Sequence, residues 1–210
     1  MGHMPAMLFG KPITLSRTGY TGERGYEIFC RGQDAGEIWD RILGEGASMG
    51  IIPCRFTTLD MLRAESYLLF FPFDNSEMYP FEDEGPGDTL WELGLDWTVS
   101  KGKTGFRGAE EHYRLQGKER FKISGLKFAD KTKVPGNAPI FKDGKKIGVV
   151  TQPMYSPLND WVVAIARMPV DCANNGTEVE VRCGTHGPLK AVSAALPFYD
   201  VEKKRRTAKD

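Results

Sequence analysis

A glycine-punctuated segment, residues 16–29, constrains the fold of this chain more than any other part of the sequence. Before its loop, Ile13 and Leu15 alternate with polar neighbours, and after the loop Tyr26 and Ile28 resume the alternation. The glycines between these runs allow backbone angles that are closed to residues with a Cβ. The pattern therefore predicts a strand, a tight loop and a returning strand.

Glu27 is the carboxylate of the returning strand, and it lies out of phase with the apolar residues Tyr26 and Ile28. The residues alone leave two interpretations open. The carboxylate either faces a cavity and accepts hydrogen bonds from a ligand, or it faces water, as most strand carboxylates do.

Helical spacing follows the hairpin. Residues 33–43 predict an amphipathic helix that stops at Gly44, residues 50–54 predict a strand, and Thr57 and Thr58 are expected to cap a second helix. This order predicts part of an α+β domain. On the second helix, Asp60 and Arg63 are three residues apart, a spacing that favours an internal ion pair.

Short alternating runs dominate the second part of the chain. They cover residues 121–128, 139–141, 146–151, 162–167, 177–182 and 190–196. With the hairpin signal Asp143-Gly144, they predict a small antiparallel β-barrel or sandwich. The predicted fold class is α+β, with a partial α/β domain over residues 5–116 and the antiparallel domain over residues 117–201.

Three further segments complete this organisation. Residues 108–116 predict a short helix, residues 74–88 predict a long acidic loop with proline and glycine breakers, and residues 202–210 predict a charged, frayed tail. Residues 1–4 look like the remnant of an expression tag, and we leave them out of the fold prediction.

Composition excludes several classes of function. The 28 basic and 28 acidic residues balance, so nucleic acid is not expected as a partner. No apolar run approaches the roughly 18 residues that would span a bilayer, so no membrane is expected. We find no secretory segment, and this favours a cytoplasmic location.

Cysteines and histidines are too scattered to predict a metal site or a disulfide framework. They are Cys30, Cys54, Cys172 and Cys183, with His3, His112 and His186. We expect the cysteines to be small buried thiols.

Five motifs resemble, in one order, those of the T-protein family, the tetrahydrofolate-dependent aminomethyltransferases of the glycine cleavage system and their demethylase relatives. They are Arg-Thr-Gly-Tyr-Thr-Gly-Glu with Gly-Tyr-Glu-Ile in residues 17–28, Asp-Met-Leu-Arg-Ala-Glu at 60–65, Leu-Asp-Trp-Thr-Val at 95–99, the strand pair within 145–166, and Leu-Pro-Phe-Tyr-Asp at 196–200. The resemblance extends from about residue 13 to residue 200.

The resemblance implies that this chain is the carboxy-terminal half of the T-protein fold. A complete member is nearly twice as long, and its signature loop lies near the middle of the sequence. In the family, the catalytic aspartate belongs to the other half. No catalytic residue is therefore assigned here, and a separate upstream catalytic domain or partner chain is expected.

The resemblance also implies a tetrahydrofolate site. It aligns Glu27 with the family glutamate that binds the pterin edge, and we expect this carboxylate to be buried against the heterocycle. Tyr20 would line or cap the pocket. Trp97 would form a wall or belong to the core, and Tyr199 would close the folate site or anchor the last strand.

Two departures bear on the activity. Leu59 stands where many T-proteins carry an arginine, and Gln152-Pro153 replaces the usual Ser-Gly. A guanidinium donates two parallel hydrogen bonds that leucine cannot imitate. These changes favour a relative that takes its one-carbon unit from another donor over glycine cleavage itself.

The favoured function is the tetrahydrofolate-binding portion of a one-carbon transferase or demethylase. It would accept a methylene group (formaldehyde) or a methyl group from a small amine donor, in a layout that resembles trimethylamine N-oxide demethylase. The alternatives are an autonomous aminomethyltransferase or O- or S-demethylase, and a non-catalytic scaffold that has lost folate.

Overall fold

A computed structural model describes residues 2–75, 87–184, 187–202 and 204. Most of the predicted acidic loop, most of the predicted tail, and His186 lie outside the described residues. The chain forms two compact units. The sheet unit comprises Met1–Leu68 and Asp200–Asp210, and the barrel unit comprises Leu69–Tyr199. These units are defined by their internal contacts, so the domain bounds 5–116 and 117–201 stay a prediction.

The sheet unit contains a three-stranded antiparallel sheet in the order β1-β2-β3. Its strands are β1 (His3–Leu8), β2 (Lys11–Ser16) and β3 (Glu27–Phe29). The predicted strand, loop and returning strand are thus confirmed as β2 and β3. Leaving out residues 1–4 was wrong, because β1 begins at His3 and pairs with β2 along its whole length.

A two-residue turn explains why β1 folds back on β2. Phe9 and Gly10 both have positive φ, at 53° and 75°, as a type I′ hairpin requires. The register then pairs Met4 with Leu15. Because β1 adds a third strand, β2 is a central strand of the sheet.

Two helices follow the sheet. They are α1 (Gly32–Gly46) and α2 (Phe56–Glu65). Both helices are confirmed, but the predicted caps of α2 are wrong. Arg55 occupies the N-cap without a side-chain cap hydrogen bond, and Thr57 and Thr58 lie inside the helix. Lys11 Nζ ties β2 to α1 through ion pairs with Asp34 at 3.4 Å and Glu37 at 3.0 Å.

The predicted strand over residues 50–54 does not form. A 3-10 helix, Ala47–Met49, ends at Gly50, whose φ of 80° is left-handed. Among the described residues, the segment after it pairs with no strand, and Ile52 is 74% exposed. Pro53 has no N–H to offer a sheet partner. Apolar, β-branched composition predicted a strand here, but strand formation also needs a neighbour to pair with.

The barrel unit contains the short helix α3 (Ala109–Arg114) and a closed barrel of six antiparallel strands in the order β4-β7-β6-β5-β8-β9. The strands are β4 (Phe121–Phe128), β5 (Pro139–Lys142), β6 (Lys145–Ser156), β7 (Trp161–Pro169), β8 (Glu178–Val181) and β9 (Leu189–Ala194). The antiparallel barrel and the short helix are both confirmed. The Asp143-Gly144 hairpin joins β5 to β6, with positive φ at both residues.

Side chains from all six strands fill the barrel. Leu126, Ile140, Val150, Ala164 and Val181 are fully buried members of one core cluster. Each neighbouring strand pair is hydrogen-bonded around the ring, so the barrel has no open sheet edge.

A bulge in β6 positions one polar contact at the edge of this core. The register shifts between Val150 and Gln152, and the intervening Thr151 donates its hydroxyl to Asp74 Oδ1 at 2.5 Å. Asp74 Oδ2 also accepts from the backbone N–H of Phe70 at 2.9 Å. The bulge thereby anchors residues 70–74, near the start of the barrel unit, to β6.

The four cysteines are free thiols. Cys172 and Cys183 are buried, and burial raises the pKa of both thiols. Cys54 is exposed, so the expectation that all four are buried was wrong. None of the helices in the described part of the chain has the length and apolar character needed to cross a bilayer.

Candidate functional site

The glycine-rich loop between β2 and β3 is held against the C-terminal end of α2. Ser66 Oγ donates to the carbonyl oxygen of Thr21 at 3.0 Å, and the Tyr20 hydroxyl donates to the carbonyl oxygen of Leu68 at 3.3 Å. Gly22 has a φ of +76°, and a Cβ built on it would overlap Ser66 Oγ. Glycine is therefore required at this position both for its backbone angle and for the close approach.

The same end of α2 carries a buried cation. Arg63 is fully buried, and its Nε lies 2.8 Å from Asp60 Oδ1, which confirms the predicted ion pair. Arg63 Nη1 also approaches the carbonyl oxygen of Leu68 at 3.4 Å, the same oxygen that accepts from Tyr20. The carbonyl oxygen of Leu68 thus contacts both the glycine-rich loop, through Tyr20, and α2, through Arg63.

Glu27 opens β3 and lies directly opposite Ser16 on β2. Its Oε2 accepts a hydrogen bond from the Thr18 hydroxyl, and Thr18 Oγ1 lies 2.9 Å from Ser16 Oγ. Sequence reasoning did not identify Ser16 or Thr18 as site residues. Residues 17–26 separate the two strands, and a loop of that length does not fix the hairpin register, so no sequence signal placed Ser16 beside Glu27.

The expectation that Glu27 is buried was wrong, since its side chain is exposed. The pleat places Glu27, Phe29 and Met7 on one face of the sheet. Phe29 is 59% exposed and Met7 is 66% exposed. The outer strands of this face are therefore open to solvent at these positions, although Ser16, opposite Glu27 on the central strand, is buried.

The four predicted site residues divide between the two compact units. Tyr20 and Glu27 belong to the sheet unit, and Trp97 and Tyr199 belong to the barrel unit. Trp97 lies in a 3-10 helix, Asp96–Thr98, and is 61% exposed, so the alternative that it belongs to the core was wrong.

Tyr199 is half-buried and follows the end of β9. The preceding Phe198 is buried, and its ring packs so closely on Gly125 that a Cβ there would lie 2.6 Å from Phe198 Cε1. Phe198 thus anchors the backbone next to Tyr199 against β4 of the barrel.

A charged cluster that the sequence analysis missed organises the segment before the barrel. Glu92 is buried, and its carboxylate accepts from Arg120 Nε at 2.7 Å and from Arg120 Nη2 at 3.0 Å. Thr89 and Glu92 form a reciprocal capping box, with Glu92 N–H donating to Thr89 Oγ1 and Thr89 N–H donating to Glu92 Oε2. The Thr-x-x-Glu spacing was the signal that could have revealed it.

The same contacts set the protonation of Glu92. Burial alone would raise the pKa of this carboxyl, but hydrogen bonds from Arg120 and from the backbone of Thr89, together with the charge of Arg120, hold it below its usual value. Glu92 is therefore a structural anion that joins Thr89 to Arg120, ahead of β4.

His112, the histidine of the barrel unit that the structure describes, has a packing role. His112 stacks on Trp91 with ring centroids 4.7 Å apart, and Trp91 Nε1 donates to the carbonyl oxygen of His112 at 2.8 Å. These contacts assign His112 to the packing of α3. In the part of the chain that the structure describes, no three His, Cys, Asp or Glu residues cluster as a metal site.

Comparison with known families matches almost the whole chain. The GCVT N-terminal domain matches residues 1–103, and the glycine cleavage T-protein C-terminal barrel domain matches residues 122–200. A glycine cleavage system aminomethyltransferase T from Bartonella henselae has a similar fold, with a TM-score of 0.76 and 27% sequence identity over 90% of this chain and 50% of that one.

Curated relatives carry three kinds of name. The chain is 56% identical to a heme-dependent oxidative N-demethylase gamma subunit from Ectopseudomonas mendocina, over 99% of this chain and 54% of the relative. It is 37% identical to an aminomethyltransferase from Bacillus pumilus, over 90% of this chain and 50% of the relative. A trimethylamine-oxide aldolase from Ruegeria pomeroyi is 34% identical over 93% of this chain and 24% of its own length.

The chain thus spans about half the length of the first curated relatives that it matches. The match to the N-terminal domain precedes the match to the barrel domain, and the closed barrel coincides with the second match. The chain belongs to the glycine cleavage T-protein family.

Proposed function

We propose that this chain is the tetrahydrofolate-binding portion of a one-carbon transferase or demethylase. The observation that carries the proposal is the placement of Glu27 on β3, directly after a glycine-rich loop that α2 holds in position. A reduced pterin presents a planar edge of N–H donors, and a carboxylate is the acceptor that such an edge requires.

The surroundings of Glu27 suit a flat ligand. Phe29 lies two residues further along β3, on the same face of the sheet, and offers exposed apolar surface. Small-molecule sites combine such apolar walls with a few polar groups that fix orientation. Tyr20, Trp97 and Tyr199 remain proposed contacts of the ligand.

Bound tetrahydrofolate would supply the nitrogen nucleophile that accepts the one-carbon unit. The residues of this chain would bind and orient that group and keep water from it, and such positioning accounts for much of the acceleration in reactions of this type. We assign no proton transfer to a residue of this chain.

We propose a small amine as the source of the one-carbon unit, delivered by a separate catalytic domain or partner chain. The 56% identity to a protein named as the gamma subunit of an oxidative N-demethylase supports this source. The replacement of the usual Ser-Gly by Gln152-Pro153 supports it as well. A cytoplasmic location stays a prediction.

Calorimetric titration of the full 210-residue chain with tetrahydrofolate tests the proposal. We expect weak binding, and Glu27→Ala should weaken it by roughly tenfold or more, because a hydrogen bond to a charged group is lost. Glu180→Ala is the matched control, since it removes another exposed strand carboxylate, on β8. Absence of heat from the unmodified chain would favour the scaffold that has lost folate.

A further inference from the structure

The hydroxyl groups of Ser16 and Thr18 form a directed chain that ends on the carboxylate of Glu27. Thr18 has one hydroxyl proton, and it donates that proton to Glu27 Oε2. The oxygen of Thr18 can then only accept in its contact with Ser16 Oγ, 2.9 Å away. Ser16 therefore donates to Thr18, and Thr18 donates to Glu27.

Solvent exposure increases along this series of hydrogen bonds. Ser16 is buried at the end of β2, Thr18 is half-buried at the start of the loop, and Glu27 is exposed. The hydroxyl chain thus runs from the body of the sheet unit to its surface. A long, exposed glutamate side chain would otherwise sample several rotamers, and ordering it on binding would weaken affinity.

We propose that Thr18 is a positioning residue, which holds one oxygen of Glu27 in place so that the other is presented to the ligand, and that Ser16 orients Thr18. This inference rests on the proposed function. Among the described residues, Thr18 is the one that donates a hydrogen bond to the Glu27 side chain, and Oε1 accepts none. A ligand with a donor edge therefore meets a pre-oriented acceptor, and the gain is in preorganisation.

Three variants test the inference by calorimetry with tetrahydrofolate. Thr18→Val removes the donor but keeps the shape. We expect it to weaken binding about fivefold to tenfold, less than Glu27→Ala, because Thr18 does not touch the ligand and acts only through the orientation of Glu27. Thr18→Ser keeps the hydroxyl and should restore binding to within about twofold. Ser16→Ala should weaken binding about twofold to threefold, since it acts through Thr18.

A structural effect on the hairpin would not produce this pattern. In the Glu27→Ala background Thr18→Val should have no further effect on binding, because the two residues act as a unit. The ¹³C carboxyl resonance of Glu27 should move in Thr18→Val and return in Thr18→Ser, without ligand present.

The outcomes separate the two claims. If the unmodified chain binds tetrahydrofolate and Thr18→Val binds it equally well, or if Thr18→Ser is as weak as Thr18→Val, the positioning role is wrong while the proposed function stands. If the unmodified chain gives no heat, the proposed function is wrong, and the positioning role is overturned with it.

Discussion

The sheet unit and the barrel unit differ in how completely each buries its own apolar side chains. In the barrel, six strands close on themselves, and residues such as Ile140 and Val150 have no solvent exposure. In the sheet unit, Phe29 and Met7 lie on one face of the strands and remain mostly exposed. The strands of the barrel bury their apolar side chains against one another. The sheet instead leaves apolar side chains exposed on one face, where a ligand can bind.

This difference indicates a division of roles. A closed barrel has no unpaired edge and gains stability from a dense interior. The open face of the sheet carries the carboxylate to which we assign ligand binding, next to a loop fixed by hydrogen bonds to α2. Stability should therefore respond most to changes in the barrel, and ligand binding most to changes on the sheet.

A matched pair of isoleucine truncations tests the comparison most strongly. Ile140→Ala should lower the free energy of unfolding of the barrel by about 3 kcal/mol, because Ile140 is fully buried and its removal leaves a cavity. Ile28→Ala should cost less than about 1 kcal/mol, since Ile28 is 36% exposed on β3. Urea unfolding monitored by amide hydrogen exchange reports both units. Equal losses would contradict the division of roles.

Glu92→Gln should lower the stability of the barrel unit by roughly 2 kcal/mol at neutral pH, because a buried anion that accepts from Arg120 is removed. The folded protein holds the pKa of Glu92 below the reference value of 4.5. Its contribution is therefore fully present above that value and is lost as the pH falls through the lower folded pKa.

Urea unfolding at several pH values checks this sign. The gap between the unmodified chain and Glu92→Gln should be largest above pH 4.5 and should shrink in more acidic solution. Glu178→Gln, an exposed carboxylate on β8, is the control and should show no comparable change. A gap that widens towards acid would show that the sign is wrong.

Gly22→Ala should destabilise the sheet unit by about 1.5 kcal/mol, since an alanine there must adopt a left-handed backbone and displace Ser66. Gly25→Ala is the control from the same loop, because its nearest neighbour, the carbonyl oxygen of Thr18, lies 4.0 Å from the added Cβ. Hydrogen exchange of the β2 and β3 amides measures the effect. Equal protection in the two variants would mean that α2 does not fix the loop.

Gly36→Ala should have the smallest effect, and of the opposite sign. Gly36 lies inside α1, and nothing lies within 4 Å of the Cβ that the change would add. Replacing glycine by alanine in a helix interior stabilises it by about 0.5 to 1 kcal/mol. A thermal melt should show the gain, and a loss would place an unrecognised neighbour on this face of α1.

Sequence patterns predicted the barrel better than the sheet unit for a physical reason. Alternating runs joined by tight turns, as at the Asp143-Gly144 hairpin between β5 and β6, fix strand and register locally. The segment 50–54 had the composition of a strand, yet pairing depends on a neighbour that composition does not reveal. The anchor between Tyr20 and Leu68 was hidden in the same way, because it joins residues 48 positions apart.

The site was predictable where it depends on the glycine-rich loop and unpredictable where it depends on exposure. The alternation placed Glu27 on a returning strand, as observed. Alternation cannot show whether that face is covered, so the expected burial of Glu27 did not hold. The alternative that Trp97 belongs to the core failed for the same reason, because its exposure depends on tertiary packing. The hydroxyl of Thr18 became visible only once the loop brought it to the carboxylate.

The most direct test is a crystal structure of the chain with tetrahydrofolate bound. The account predicts that the N–H edge of the pterin lies within about 3 Å of the Glu27 carboxylate, with Thr18 still donating to the other oxygen. A pterin bound elsewhere, with Glu27 contacting only solvent, would contradict it.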